Sequence, residues 1–418
     1  MPIFDLDGTL YKTESATIKA VDRALKECGL SPPDGKFVRS LIGETMENFC
    51  RRLVPHLSED RLDNLREKIS IYEKELIPTH AELYGGMRNI LNELTETGLP
   101  AALCSNGSRR YVDLVLDACR VRDKFAYVRT NDVKTSKGEL VRELLNESGY
   151  TKAVMIGDRI HDFRAAAENN VLSVGVTWGY GGGETAEADF CSNNPDDILK
   201  IIYQCLIFSR IEKDLVGLRK NAPFIVGING IDNSGKTTFA VNLDIYLRKR
   251  GYMTQLIHMD DFHNPKEIRM QGNSEIDAYI NNAFNLNLLR DEILYPAREF
   301  KRVDKHLKLL DLDSDTFTKI KKYHIDNDTI VIVEGVLLYR KPIDEFFDYR
   351  IFLKIEFDEC LNRARRRDVP RYGESFLDKY HRKYIPIQKW YIETSNPLKL
   401  SNLVIDNNEF IRPRIIEK

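Results

Sequence analysis

The stretch Gly230-Ile-Asp-Asn-Ser-Gly-Lys-Thr237 constrains the fold more tightly than any other segment of this 418-residue chain. Its glycines bracket four residues and lead into Lys-Thr, the Walker A pattern. Such a loop holds phosphate through backbone N–H groups at a helix N-terminus, so it needs a strand before it and a helix behind it. Both are present: 224–228 is an apolar, β-branched run, and 237–248 has a helical pattern. In that setting Lys236 reaches the β- and γ-phosphates of a nucleotide and the Thr237 hydroxyl binds Mg²⁺, with Gly230, Asp232, Asn233, Ser234, Gly235 and Thr238 along the phosphate path.

The same strand-then-helix rhythm runs through most of the chain. Strand-like runs at 3–4, 100–104, 153–156, 172–176, 224–228, 254–258, 330–333 and 349–355 alternate with longer helical patterns, which predicts parallel sheets. The expected class is α/β, with two doubly wound, parallel-sheet (Rossmann-like) domains. Two stretches break the rhythm. Residues 14–80 read as helices only, which suggests a helical cap inserted into the first domain. Residues 181–222 hold a Gly-rich turn, a strand-like piece and a helix, and they place the boundary. The expected division is a first domain at 1–205, a linker helix at 206–220 and a P-loop NTPase-fold domain at 221–418.

Charge and cysteine usage narrow the partners. Lys+Arg total 62 against 64 Asp+Glu, and residues 211–418 are only slightly basic, 35 against 32. That suits a polyanionic nucleotide and is too weak for a DNA footprint. Seven scattered cysteines without a C-x-x-C pair argue against zinc and disulfides and for a reducing compartment. No apolar run reaches the ~18 residues of a membrane span, and the opening strand-like run leaves no room for a signal peptide. A cytoplasmic protein with no membrane partner is the expectation.

In the first domain, Ile3-Phe-Asp-Leu-Asp-Gly-Thr-Leu10 puts Asp5 and Asp7 where both can face one site as the chain turns at Gly8. One carboxylate can be a nucleophile and the other a general acid/base. Ser105 and Asn106, at another strand end, can hold a phosphoryl oxygen, and Lys134 or Lys137 can neutralise its charge. Asp158 and Asp162, beside Asp5, offer the oxygen ligands that Mg²⁺ takes. This order of motifs resembles the haloacid dehalogenase-like phosphatases over about residues 1–205, and 157–180 resembles the phosphoglycolate phosphatase-like subgroup. The resemblance implies Asp5 as a nucleophile that forms an aspartyl-phosphate and Asp7 as general acid/base. It implies Ser105 as phosphoryl binder, and Asp5, Asp158 and the Asp7 carbonyl as Mg²⁺ ligands supported by Asp162. The subgroup's spacing favours Lys137 over Lys134 as the motif lysine.

The second domain adds His258-Met-Asp-Asp-Phe-His263, then Glu334 at the end of an apolar strand, placed like a Walker B acid near Mg²⁺. An arginine cluster follows at 361–371, expected as a lid over the nucleotide phosphates. Together these resemble the uridine kinase-like P-loop kinases, related to phosphoribulokinase and pantothenate kinase, over about 221–410. The resemblance implies Asp260 as the base for the acceptor hydroxyl, with Asp261 as second choice. It also implies Arg363, Arg366 and Arg367 as lid residues on the nucleotide, and Arg371 and His263 near the acceptor. Uridine kinases carry a Phe-Asp-His-Pro-type segment after the base, and 264–294 has none. The kinase class is therefore expected, and uridine is not.

The expected whole is a bifunctional enzyme. An Mg²⁺-dependent phosphatase acts on a small-molecule phosphomonoester, and a kinase uses ATP or GTP to phosphorylate a small hydroxyl acceptor. Two alternatives follow from the same motifs: a polynucleotide 5′-kinase/3′-phosphatase, or one domain serving as a regulatory sensor of the other. The near-neutral charge and the enclosing cap argue against nucleic acid, and both complete residue sets argue against a mere sensor.

Overall fold

The structure is a computed structural model and describes residues 1–132, 135–218 and 221–416. It divides into two compact units, Met1–Ile202 and Tyr203–Lys418.

The first unit is built on six parallel strands: β1 (Pro2–Phe4), β2 (Ala101–Ser105), β3 (Phe125–Thr130), β4 (Val154–Gly157), β5 (Leu172–Val176) and β6 (Phe190–Ser192). Their order across the sheet is β3-β2-β1-β4-β5-β6. β1 is only three residues long, yet every one is buried. It lies centrally, with Ile3 opposite Ala102 on one side and Met155 on the other. Pairing on both edges and burial on both faces hold so short a strand in register. Helices Thr17–Glu27, Gly35–Ser40, Met46–Leu53 and Glu59–His80 form the cap between β1 and β2. Asp34 and Thr45 cap the second and third of these through side-chain oxygens. The cap has an apolar core of its own, including Val21, Leu25, Phe49, Leu62, Leu65 and Ile69.

The second unit holds β7 (Phe224–Gly230), β8 (Thr254–His258), β9 (Val303–Asp311), β10 (Thr316–Ile325), β11 (Ile330–Gly335), β12 (Tyr349–Lys354), β13 (Leu403–Asp406) and β14 (Arg414–Ile416). The main sheet runs β14-β13-β12-β7-β11-β8, parallel except for the β13/β14 pair. β9 and β10 form a separate antiparallel hairpin.

Both sheets have the doubly wound α/β character expected. The hairpin, β3, β13 and β14 were not foreseen. β10, Thr-Phe-Thr-Lys-Ile-Lys-Lys-Tyr-His-Ile, is exposed at most positions, so it carries neither an apolar run nor a polar–apolar alternation to announce a strand. The segment expected as a linker is also different. Helix Pro195–Leu218 is continuous, and its later part is packed into the second unit, with the Phe208 ring 5.0 Å from Phe239 and 5.6 Å from Tyr246. Aromatic burial makes these residues part of that unit's core.

Candidate active sites

Three adjacent strands of the first sheet end at one place. Asp5 follows β1, Ser105 closes β2 and Asp158 follows β4, so motifs from distant segments meet at the carboxyl edge of a parallel sheet. Asp5 is buried, and the Lys137 ammonium lies 2.5 Å from Asp5 Oδ1 and 2.5 Å from Asp162 Oδ1. Burial works against that ammonium, but Asp162 and Asp5 outweigh it and keep the Lys137 pKa above its ordinary value. Lys137 is thus the lysine of the site; Lys134 lies outside the described residues.

Asp7 turns its carboxylate elsewhere. Its Oδ1 accepts from the Tyr111 hydroxyl at 2.6 Å and the Thr13 hydroxyl at 2.8 Å. Burial raises its pKa, and those two hydrogen bonds oppose the rise. Two carboxylates two residues apart therefore receive different environments, one beside an ammonium and one beside neutral donors, which suits an acid and a nucleophile. Of the phosphoryl-binding pair, Ser105 Oγ accepts from the Gly107 N–H at 3.0 Å, while the Asn106 amide donates to the Gly43 carbonyl in the cap at 3.0 Å.

Asp5, Asp158 and Asp162 are all buried and each offers an oxygen within 4.8 Å of the others. Asp158 Oδ2 accepts from the Tyr180 N–H at 2.6 Å, while its buried Oδ1 has no hydrogen-bond partner. An all-oxygen set with an unsatisfied buried carboxylate oxygen fits a hard cation such as Mg²⁺. The backbone makes room for this cradle. Gly8 has φ +79°, and a Cβ there would stand 2.3 Å from Asp158 Oδ2. Gly8→Ala is expected to displace that carboxylate and weaken Mg²⁺ activation by about 10–100-fold, measured as the Mg²⁺ concentration for half-maximal phosphatase rate.

In the second unit the phosphate loop follows β7. Asn233 and Gly235 take positive φ, +58° and +86°, so successive N–H groups curl toward one point ahead of helix Lys236–Lys249. Lys236 is buried and donates to the Ile231 carbonyl at 2.8 Å. Thr237 Oγ1 lies 3.2 Å from Glu334 Oε1, and His258 Nδ1 lies 2.8 Å from the same oxygen. Thr237 and Glu334, both expected from the sequence near Mg²⁺, are thus brought together beside the phosphate loop. Ser234 is buried, while Thr238 is exposed on the first turn of the helix.

The two aspartates after β8 separate cleanly. Asp261 is buried, with Lys319 of β10 at 2.5 Å from Oδ1 and Lys321 on Oδ2. Burial opposes its charge, but those ammonium groups hold its pKa below the ordinary value. Asp260 is exposed, and its carboxylate makes no hydrogen bond or ion pair among the described residues. Of the two residues expected from the sequence as a base, Asp260 is exposed and Asp261 is fixed to the hairpin. His263 Nδ1 meets the Asp260 carbonyl at 2.7 Å and its ring packs on Phe284 at 4.4 Å. Burial lowers its pKa, against the pull of the Asp260 carbonyl and carboxylate.

The arginine cluster requires a correction. Arg363 is buried and donates to the carbonyls of Asn233 (3.1 Å), Asn408 (3.1 Å) and Asn407 and to Glu359 (2.8 Å). Its Nη groups hold backbone carbonyls, Asn233 of the phosphate loop among them, and its Nε holds Glu359, so it braces the loop and is not a free lid arm. Arg366 is exposed and paired with Glu359 at 3.1 Å, Arg367 pairs with Asp368 at 2.7 Å, and Arg371 lies exposed over the Tyr372 ring.

Residues 2–176 match the haloacid dehalogenase-like hydrolase family, and residues 225–392 match the phosphoribulokinase / uridine kinase family. The chain joins a hydrolase domain of the first family to a kinase domain of the second. It is an enzyme with hydrolase and phosphotransferase activities. The hydrolase domain is similar to the phosphoglycolate phosphatase of Pseudomonas putida, 29% identical over 215 residues, which cover 49% of this chain and 78% of that protein. The phosphoglycolate phosphatase of Agrobacterium fabrum is 26% identical over 189 residues, 43% of this chain and 81% of its own. Among solved structures, a possible uridine kinase from Bacillus stearothermophilus aligns with a TM-score of 0.38 and 24% identity, over 47% of this chain and 96% of that one.

Several supporting residues of the kinase domain were not singled out from sequence. Gln388 accepts from the Asp232 N–H at 3.1 Å and donates back to its carboxylate. Asn407 donates to the Ser234 carbonyl at 2.7 Å, and Tyr380 accepts from Asn233 at 3.0 Å. These groups brace the phosphate loop through Asp232, Asn233 and Ser234. In the hydrolase domain, Thr13 and Tyr111 brace Asp7, and the Tyr180 N–H braces Asp158.

Proposed function

We propose that the hydrolase domain cleaves a small phosphomonoester through an aspartyl-phosphate, and that the kinase domain transfers the γ-phosphoryl group of ATP or GTP to a small hydroxyl acceptor. The observation that carries this reading is the convergence of Asp5, Lys137, Asp158 and Asp162, from separate segments, in one buried cluster at strand ends. Phosphoglycolate, the substrate that the relatives' name carries, is one member of the substrate class.

In the hydrolase domain, an Asp5 carboxylate oxygen attacks phosphorus and the bond to the leaving oxygen breaks. Asp7, whose burial favours its protonated form, gives that oxygen a proton. Asp7 then takes a proton from the water that attacks the phosphorus of the intermediate, which releases phosphate and restores Asp5. Lys137 offsets phosphoryl charge, and Ser105 and the nearby backbone orient it. Asp5, Asp158 and the Asp7 carbonyl, with Asp162 in support, would hold Mg²⁺, which would supply further charge neutralisation.

In the kinase domain, Asp260 takes the proton of the acceptor hydroxyl, whose oxygen attacks the γ-phosphorus. The bond from phosphorus to the β–γ bridging oxygen breaks and the nucleoside diphosphate leaves. Lys236 and the helix N-terminus counter the charge that develops there, and Thr237 and Glu334 would hold Mg²⁺. Asp260→Asn should lower the kinase kcat by about 10²–10⁴-fold. Asp261→Asn should leave far more of kcat and instead lower the melting temperature, because two lysines lose their shared partner. Steady-state kinetics and thermal melting of both variants decide it; equal kcat losses at the two positions would remove Asp260 from the base role.

A further inference from the structure

A line of contacts runs from Asp260 of the kinase domain to a cation without a counter-ion. His263 Nδ1 meets the Asp260 carbonyl at 2.7 Å, and the His263 ring lies 4.4 Å from that of Phe284. Phe284 lies 5.9 Å from Tyr279, and the Lys383 ammonium stands over the Tyr279 ring at 5.2 Å. Lys383 is half-buried and makes no hydrogen bond or ion pair among the described residues. Arg269 closes the circuit, near enough to act on both His263 and Lys383. Its Nη2 pairs with Asp315 at 3.0 Å, but its Nε is buried without a partner. Arg340, which also acts on Tyr279, makes no ion pair among the described residues and likewise has a buried, unpartnered Nε. Burial first, with Lys379 and Arg269 behind it, holds the Lys383 pKa below its ordinary value against the pull of the exposed Glu275. Asp232 and Asp260 both act on Tyr279, but Asp232 is held by Gln388 and neither pairs with these cations among the described residues.

Resting on the kinase reading above, we propose that Lys383 and Arg269 form the far end of the acceptor site, and that the acceptor is an anionic alcohol: a hydroxyl compound that carries a phosphate or carboxylate group away from the hydroxyl to be phosphorylated. The Tyr279 and Tyr384 faces, 5.2 and 6.0 Å from the ammonium or its stacking partner, attract Lys383 but leave its three N–H donors unused. Anionic oxygens supply what the ammonium and the guanidinium nitrogen both lack, through hydrogen bonds about twice as strong as neutral ones. A neutral hydroxyl can accept from either group but cancels none of the repulsion between them. The Tyr279, Phe284 and His263 rings link these cations to Asp260, so an acceptor anchored by its anion at Lys383 extends its other end toward the base.

The test uses the full chain bearing Asp5→Asn, so that phosphorylated acceptors are not hydrolysed, and measures NTP consumption with Mg²⁺. Acceptors are compared in sets that differ in the anion: ribose with ribose 5-phosphate, glucose with glucose 6-phosphate and gluconate, and glycerol with glycerate, with uridine as a neutral nucleoside. The phosphate and carboxylate arms identify which anion is taken. In any set that is used, an anionic member should exceed the neutral one by at least about 10-fold in kcat/KM, since charge-assisted bonds to two cations are at stake. Lys383→Met, which keeps the apolar stem, should raise KM for that acceptor at least about 10-fold and leave kcat and the KM for NTP within about 3-fold, whereas Lys383→Arg should keep most of the affinity. Arg269→Gln should raise the same KM, which keeps the test decisive if one variant folds poorly. Preference for a neutral acceptor, an acceptor KM unmoved by both Lys383→Met and Arg269→Gln, or a rise in the KM for NTP in its place overturns the proposal. NTP consumption that no acceptor raises above the acceptor-free rate would instead overturn the kinase reading beneath it.

Discussion

Asp5→Asn should abolish phosphomonoester hydrolysis, with a loss of at least about 10⁴-fold in kcat, as for removal of a covalent nucleophile elsewhere. The size follows from the proposed role: an amide cannot form the acyl-phosphate bond, and no other carboxylate sits in its place. Asp7 is held away by Tyr111 and Thr13, and Asp158 is tied to the Tyr180 N–H. The variant should fold. Lys137 keeps Asp162 at 2.5 Å when Asp5 loses its charge, so no buried ammonium is left unpaired, the situation that makes broken buried pairs costly. Phosphate release from p-nitrophenyl phosphate, beside a melting curve, reads both parts.

Lys236→Ala should reduce NTP-dependent phosphorylation by about 10²–10³-fold, the usual loss when one charged or donor group is removed from a developing phosphoryl charge. The ammonium donates to the Ile231 carbonyl at 2.8 Å. The loop's shape rests on other groups: Arg363 on the Asn233 carbonyl, Asn407 on the Ser234 carbonyl and Gln388 on Asp232. Removing the ammonium therefore takes away its contact with the nucleotide and leaves the cradle standing. Isothermal binding of ATP and GTP to the variant, compared with its turnover, separates lost affinity from lost catalysis.

Much of this was legible in the sequence because strand-end chemistry is local. Asp5, Asp158, Gly230 and Glu334 each stand where an apolar run stops, and a parallel sheet gathers such ends on one edge. What escaped depends on which way a side chain faces. Arg363 and Arg366 look alike in an arginine-rich run, but helix Phe357–Arg367 turns Arg363 inward with Cys360 and Ala364 and leaves Arg366 in solvent. Glu73 sits four residues from Ile69 and four from Ile77 on the buried face of its helix, so the 3.6-residue period marks it as inward. Its burial, with the Asp7 charge as a second cause, pushes its carboxyl up to about 8, which no pattern of residue types records. The hairpin lysines that occupy Asp261 come from β10, a strand without a sequence signature, so only the fold could separate Asp261 from Asp260.

On this reading one chain carries two separately working phosphoryl-transfer sites of opposite direction. The most direct test is to assay both activities on the same preparations of the native chain, Asp5→Asn and Lys236→Ala: phosphate release from p-nitrophenyl phosphate, and NTP consumption against a panel of nucleoside, sugar and vitamin acceptors. The predicted result is crossed: Asp5→Asn loses hydrolysis and keeps NTP-dependent phosphorylation, and Lys236→Ala does the reverse. Loss of both activities in either single variant, or retention of hydrolysis in Asp5→Asn, would contradict it.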